Sequence, residues 1–83
     1  MKYYKAIQCN NLTHDEAMKL GKFITRPEWD GIHFINKSGK NTILLKTGEI
    51  MVTDNIMNKE DNDWMTVTVT SEAMTIINKY KLL

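Results

Sequence analysis

Hydrophobic and polar residues alternate along most of this chain, a pattern typical of β-strands because successive side chains point to opposite faces of a sheet. The alternation is clearest in residues 64–70, WMTVTVT. Five further segments have the same character: residues 2–8, 22–26, 31–37, 42–46 and 49–53. Thr47 and Gly48 separate the last two and predict a hairpin. The polar residues 54–63 predict irregular structure with at most a helical turn.

The period changes to that of a helix after the first strand. Thr13 is followed three residues later by Glu16. This is a capping box, in which the hydroxyl and the carboxylate each bind a backbone amide at the start of a helix. We predict a short helix from His14 to Leu20, ended by Gly21 in the left-handed conformation.

A second helix is predicted at the end of the chain, beginning at Thr70 or Ser71. Its apolar face is predicted to contain Ala73, Met74, Ile77 and Tyr80 or Lys81. Together these elements predict an α+β fold: a small antiparallel sheet of about four to six strands, with a short N-terminal helix and a C-terminal helix.

The strongest strand separates its residues into two faces. Met65, Val67 and Val69 point one way and are predicted to be core. The opposite face holds Trp64, Thr66, Thr68 and Thr70. A large aromatic on such a polar face either covers the edge of the core or is available to a partner or ligand. Both interpretations stay open at this point.

The length of 83 residues predicts a single domain, 1–83, with a thin core. Small domains compensate with disulfides, metals or oligomerisation. Cys9 is the only cysteine, and with His14 and His33 it does not supply a zinc ligand set. We therefore expect a homo-oligomer without metal.

The net charge of +1, with acidic and basic residues interspersed, argues against binding to duplex DNA. The first residues lack the apolar region of a signal peptide. No apolar run approaches the roughly 20 residues of a membrane span. We expect a cytoplasmic protein that is not bound to a membrane, and a single cysteine suits that compartment.

Candidate chemistry points to binding more than to catalysis. Phosphate-binding glycine motifs are absent from the sequence, and neither Cys9 nor His14 belongs to a recognisable catalytic signature. We expect no enzyme, no catalytic residue and no cofactor. Arg26, the only arginine, together with Trp29 and Trp64, suits nucleotides, because guanidinium groups bind phosphates and indoles stack on bases. The same residue types also anchor protein interfaces.

A resemblance to a known family adds to these observations. Residues 16–31, EAMKLGKFITRPEWDG, resemble the opening motif of the second Thoeris anti-defence family of small phage proteins. Residues 44–49, LLKTGE, are similar to its central hairpin, and residues 61–67, DNDWMTV, to its closing Asp-Trp strand. Two features depart from the family: residues 54–62 lack the Trp and the Ser-Gln-like run of many members, and the tail after Thr70 is longer.

The resemblance implies a function. Members of this family are oligomeric sponges, typically tetramers, that sequester the cyclic ADP-ribose signal of the Thoeris immune system without degrading it. Some members also hold cyclic oligonucleotides. The resemblance therefore implies a tetramer built from dimers that binds glycocyclic ADP-ribose in the host cell cytoplasm.

The family motifs also indicate which residues hold the ligand. Arg26 and Trp29 fall on the first motif, and Asp63 and Trp64 on the last. Together with Phe34 they are the predicted ligand-binding residues. In this hypothesis a cleft between protomers stacks adenine on tryptophan, Arg26 binds the pyrophosphate, and Gly31 turns the backbone close to the ligand.

Two other functions remain open. One is a small phage module that inhibits a host protein through its Trp/Thr face. The other is a single-strand nucleic-acid binder, whose affinity would depend strongly on salt.

Overall fold

The computed structural model describes residues 4–27, 29, 31–56 and 58–83, and residues 5–10 by their backbone alone. It is an α+β fold with a six-stranded antiparallel sheet and two helices, as predicted. The elements in chain order are β1 (Tyr4–Leu12), α1 (His14–Leu20), β2 (Ile24–Thr25), β3 (Gly31–Ile35), β4 (Asn41–Leu45), β5 (Ile50–Thr53), β6 (Trp64–Val69) and α2 (Ser71–Lys79).

The strands lie in the order β1-β6-β2-β3-β4-β5. The strands β3, β4 and β5 follow one another as antiparallel neighbours. The late strand β6 inserts between β1 and β2, pairing antiparallel with both. The two early strands β1 and β2 are thus joined within the described sheet only through β6, a strand from late in the sequence.

The two helices cover opposite faces of this sheet. On one face Ala17 of α1 packs with Ile24, Ile43, Ile56 and Trp64. On the other face Ala73 and Ile77 of α2 pack with the buried side chains Ile32, Phe34, Leu44 and Val67. Because side chains alternate along each strand, the strands between the helices are buried on both faces.

This arrangement decides the status of the strand β6. Met65 and Val67 are buried, as predicted for the core. The opposite face is also covered, since Trp64 is 0% exposed and Thr66 4% exposed. Of the two interpretations of this face, the one in which Trp64 covers the core is therefore confirmed in the single chain, because α1 lies over Trp64 and Thr66; Thr70, at 9% exposure, is buried as well. Thr68 is exposed there, as expected.

The helix α1 begins with the predicted capping box. The amide of Glu16 donates to Thr13 Oγ1 at 3.3 Å, and the amide of Thr13 donates to Glu16 Oε1 at 2.8 Å. The helix ends before Gly21, but Gly21 is extended (φ −151°) and not left-handed as predicted. A Cβ at Gly21 would lie 3.0 Å from Thr66 Cγ2, so the glycine allows close approach of the chain to β6.

The helix α2 starts where the sequence indicated, with Thr70 as the N-cap that accepts from the amide of Ala73. Ala73 and Ile77 are buried as predicted. Tyr80 is the C-cap and is 53% exposed, so its assignment to the apolar face is wrong. The helix ends at Lys79, one residue before Tyr80. Beyond the helix, Leu82 packs against the core cluster beneath α2.

Strand boundaries differ from prediction mainly by a few residues. The strand β1 continues to Leu12, well beyond residue 8, whereas residues 2 and 3 of its predicted range lie outside the described residues. The strand β2 ends at Thr25, before Pro27. The predicted hairpin is present, with Gly48 at φ 92° in its turn. The described part of residues 54–63 contains turns and bends but no helix or strand, in agreement with the predicted irregular structure.

Candidate functional site

The site is built around two tryptophans near the first residue of β6. Trp64 begins this strand, and Trp29 lies in the connection between β2 and β3. The two indole rings are 4.9 Å apart, edge to face, with an interplanar angle of 74°. Trp64 is fully buried, whereas Trp29 is partly exposed. Trp64 therefore supports Trp29 from below, and only Trp29 is available to a ligand in the single chain.

Trp64 is held by contacts on several sides. Its Nε1 donates to the carbonyl of Asn58 at 3.1 Å. Its ring packs edge-on against His14, with centroids 5.1 Å apart. The guanidinium carbon of Arg26 lies 5.4 Å from its ring centroid, within the range of a cation–π contact. An indole so restrained gives Trp29 a fixed supporting surface.

Arg26 is bound by two carboxylates. Its Nε and Nη2 donate to the two oxygens of Asp63 at 2.8 and 3.0 Å. Its Nη2 also donates to Asp61 Oδ2 at 3.0 Å. These bonds lower the pKa of Asp63 and raise that of Arg26. The guanidinium that we predicted to bind pyrophosphate thus bonds to carboxylates in the single chain.

The charge balance of this cluster matters for an anionic ligand. One guanidinium against two carboxylates leaves a formal charge of −1. The side chain of Arg26 is 14% exposed, whereas that of Asp61 is 52% exposed. The side chain of Asp63 is 46% exposed, so the two carboxylates are exposed to a similar extent. The hydrogen bond to Asp61 is nevertheless exposed, whereas the paired bonds to Asp63 are partly buried.

An open pocket lies beside Trp29, above the sheet. Its volume is about 450 Å³, within the range of small-molecule sites. The floor comes from β3, β4 and β5, and the remaining wall from the segment after β5. The lining residues are Trp29, Gly31, Ile43, Leu45, Met51, Thr53, Asn55 and Ile56. None of these described residues carries a charge.

Gly31 was predicted to begin a strand and to turn the backbone close to the ligand; it begins β3 and lines the pocket, but without a turn. A Cβ there would be 2.8 Å from Ile43 Cγ2 and 2.9 Å from the carbonyl oxygen of Leu44. The glycine therefore allows β3 and β4 to pack closely under the pocket.

Phe34 does not belong to the site. Its side chain is 0% exposed and lies in the cluster beneath α2, with its ring 5.5 Å from that of Phe23. Strand alternation puts it on the opposite face of the sheet from Trp29 and Trp64. The structure thus brings Arg26, Trp29, Asp63 and Trp64 together and separates Phe34 from them.

Sequence reasoning missed a pair of buried histidines behind Trp64. The rings of His14 and His33 are 5.0 Å apart. His33 Nε2 lies 3.1 Å from Asn41 Oδ1, and His14 Nδ1 lies 3.2 Å from Asp15 Oδ1. Burial is the main cause that lowers the pKa of His33 to about 4. The chain spacing of these histidines gave no signal, because their proximity depends on how α1 packs against the sheet.

No protein-family model, curated protein or solved structure matches the chain. Within the described residues, no three histidine, cysteine or acidic side chains are placed to hold a metal ion. Across the same part of the chain, no helix is long and apolar enough to cross a membrane.

Proposed function

We propose that this protein is a phage anti-defence sponge that binds a cyclic ADP-ribose-type signalling nucleotide and holds it uncleaved. By sequestering glycocyclic ADP-ribose it blocks activation of the Thoeris effector in the host cytoplasm. The observation that carries the proposal is the open pocket walled by Trp29, in the segment whose sequence resembles the opening motif of that family.

Trp29 is the stacking surface for the adenine base. Its partly exposed indole rests edge-on against Trp64, which is fixed by Arg26, His14 and the carbonyl of Asn58. Stacking of a base on an aromatic side chain is worth about 1–3 kcal/mol. A ring held in place before binding loses little freedom when the ligand arrives, which favours affinity.

In this proposal the pyrophosphate binds to Arg26, which lies outside the lining of the uncharged pocket. A phosphate oxygen can replace the exposed carboxylate of Asp61 on Nη2 while Asp63 keeps its two bonds. The exchange preserves a charge-assisted hydrogen bond and keeps the guanidinium in position. Displacement of Asp61 from Arg26 also moves a negative charge away from the phosphate, which lowers the repulsion between them.

The chemistry of the pocket supports holding over cleavage. Its described lining offers one hydroxyl, Thr53, and no titratable side chain that could act as a general base. Thr53 Oγ1 donates to the carbonyl of Asn55 at 3.0 Å. This hydroxyl also accepts from the amide of Asn55 at 3.3 Å, so in this proposal the side-chain amide of Asn55 is the polar group of the wall that bonds to ribose hydroxyls.

Calorimetric titration with glycocyclic ADP-ribose, with linear ADP-ribose as the control ligand, tests the proposal. We expect nanomolar binding, about −12 kcal/mol, and recovery of intact ligand by mass spectrometry after heat release. Trp29→Ala should weaken binding by at least about tenfold, the equivalent of 1.4 kcal/mol of stacking. Tyr80→Ala is the matched control, because Tyr80 is an exposed aromatic outside the pocket.

Three results would contradict this function. Absence of heat at micromolar concentrations would show that glycocyclic ADP-ribose is not the ligand. Equal affinity of Trp29→Ala and the parent protein would show that Trp29 does not stack on the base. Recovery of a hydrolysed product would make the protein an enzyme.

The alternative function, inhibition of a host protein through a Trp/Thr face, requires a surface that is mostly buried in the single chain. Trp64 and Thr66 are both buried in the single chain, under α1. A partner could reach Thr68 on this face but not the tryptophan. The geometry therefore favours the nucleotide over this alternative.

A further inference from the structure

The outer edge of the sheet at β5 is apolar and exposed. Within the described residues this strand has a neighbour, β4, on one side only. Met51 is 44% exposed and Val52 50% exposed. Since consecutive side chains point to opposite faces, hydrophobic surface is exposed both above and below the edge.

The opposite edge of the sheet is irregular where β5 is regular. The pairing of β1 with β6 has register shifts between Tyr4 and Ala6, between Ile7 and Cys9, and between Cys9 and Leu12. Bulges of this kind are a common protection against pairing with another chain. The strand β5 pairs with β4 without a shift, and residues 50–53 contain no charge and no proline. One edge is thus protected against association and the other is not.

The hydrogen-bonding pattern shows which groups of β5 point outward. The amide of Leu45 donates to the carbonyl of Glu49 at 2.9 Å, which makes these residues a hydrogen-bonded pair. Such pairs alternate along an antiparallel ladder, and Ile43 lies opposite Met51. Met51 therefore bonds to β4, whereas the backbone N–H and C=O of Ile50 and Val52 point away from the sheet.

We propose that a second copy of this chain pairs with β5 through these outward groups, antiparallel about a two-fold axis at Met51. Ile50 of each copy then lies opposite Val52 of the other, and their amides and carbonyls bond reciprocally. The two Met51 side chains meet at the axis, and Glu49 lies opposite Thr53. This register brings no like charges face to face and joins two sheets into one.

A second copy fits this edge better than an unrelated strand because the edge is complementary to itself. The outward groups occur at two positions symmetric about Met51, and the exposed valine of one copy covers the partly buried Ile50 of the other. A two-fold interface requires this kind of self-complementary patch.

The pairing also extends the pocket. Met51 and Thr53 form the part of the pocket floor nearest the edge. Met51 of the second copy lies beside them in the joined sheet and continues the floor across the axis. Two pockets thus meet at the interface. The interface itself does not depend on which ligand the pocket holds.

Sedimentation equilibrium from low to high micromolar concentration tests the interface. Val52→Lys adds a charge at the edge on the face away from the pocket, and Tyr80→Lys is the control with similar exposure, 53%. We expect a dimer or a multiple of it for the parent and for Tyr80→Lys. Val52→Lys should weaken association by about a hundredfold, tenfold for each copy in the symmetric contact. Val52→Pro, which deletes an outward N–H, should do the same.

Circular dichroism of each variant distinguishes loss of association from loss of fold. A monomeric parent at high concentration would overturn the proposal, as would dimers of both Val52 variants that match the parent in strength. Capture of another protein by a monomeric parent, lost in Val52→Lys, would assign the edge to that protein and also overturn it. Ligand titration of the same samples reports separately on the proposed function.

Discussion

The neutral state of His33 should make the protein lose stability in mildly acidic solution. His33 is 0% exposed, and its pKa is lowered from 6.5 to about 4. The first cause is burial, and the charges of His14 and Lys59 add to it, whereas the hydrogen bond to Asn41 acts in the opposite direction. The unfolded chain therefore binds a proton at a pH where the folded chain does not.

The sign and size of the effect follow from these values. Because the folded pKa is below the unfolded one, the stabilisation is complete above pH 6.5 and is lost as pH falls towards 4. Between pH 7 and pH 5 the loss amounts to about 2 kcal/mol, from the pKa values of 6.5 and about 4. For a domain of this size that corresponds to a Tm lower by roughly 8–16 °C.

Urea denaturation followed by tryptophan fluorescence at pH 7, 6 and 5 measures this slope. The lowered pKa values of Glu16 and Asp63 contribute mainly below about pH 4.5, because their ordinary values are 4.5 and 3.8. His33→Gln removes the titrating ring, so its free energy of unfolding should be nearly constant over this range, whatever its absolute value. His14→Gln should reduce the slope only in part, because the charge of His14 contributes less than burial to the lowered pKa of His33.

A parent slope no steeper than that of His33→Gln would refute the reasoning. It would mean that the imidazole reaches solvent or a proton acceptor in the folded protein, and the burial of His33 beside His14 would then be incorrect. A steep slope in the parent that persists in His33→Gln would assign the proton uptake to another group.

Two substitutions test the packing and the caps. Gly31→Ala should lower stability by about 1–3 kcal/mol, the usual range for overpacking, because the new methyl meets Ile43 and the carbonyl of Leu44; an unchanged Tm would show that the strands separate easily. Thr13→Ala should cost about 1 kcal/mol through loss of the capping box, whereas Thr75→Ala, on the exposed part of α2, should be neutral. Equal effects of the two threonine substitutions would contradict the capping argument.

Local interactions explain what the sequence predicted well. The capping box at Thr13 and Glu16 involves residues three apart, and the turn at Gly48 depends on its own backbone conformation. Alternation along β6 correctly separated Met65 and Val67 from Trp64 and Thr66. Each of these features is determined within a few residues of chain.

Long-range packing explains what could not be predicted. The alternation along β6 divides its side chains into two faces, but whether both are covered depends on helices at opposite ends of the chain. The same holds for Phe34, whose strand gives no sign of which face meets α2. Arg26 was recognised as unusual, but its partners Asp61 and Asp63 lie more than 30 residues away, at separations of 35 and 37.

The concentration of unusual residues between Arg26 and Gly31 has a structural explanation that also prepares a site. Pro27 follows the end of β2, and Gly31 permits close packing at the start of β3, so the connection that carries Trp29 is short and anchored at both ends. Arg26 fixes this connection to Asp63, at the start of β6. A tryptophan restrained in this way can remain partly exposed without collapsing onto the apolar pocket beside it, and that is the condition for a stacking surface that is ready before its ligand binds.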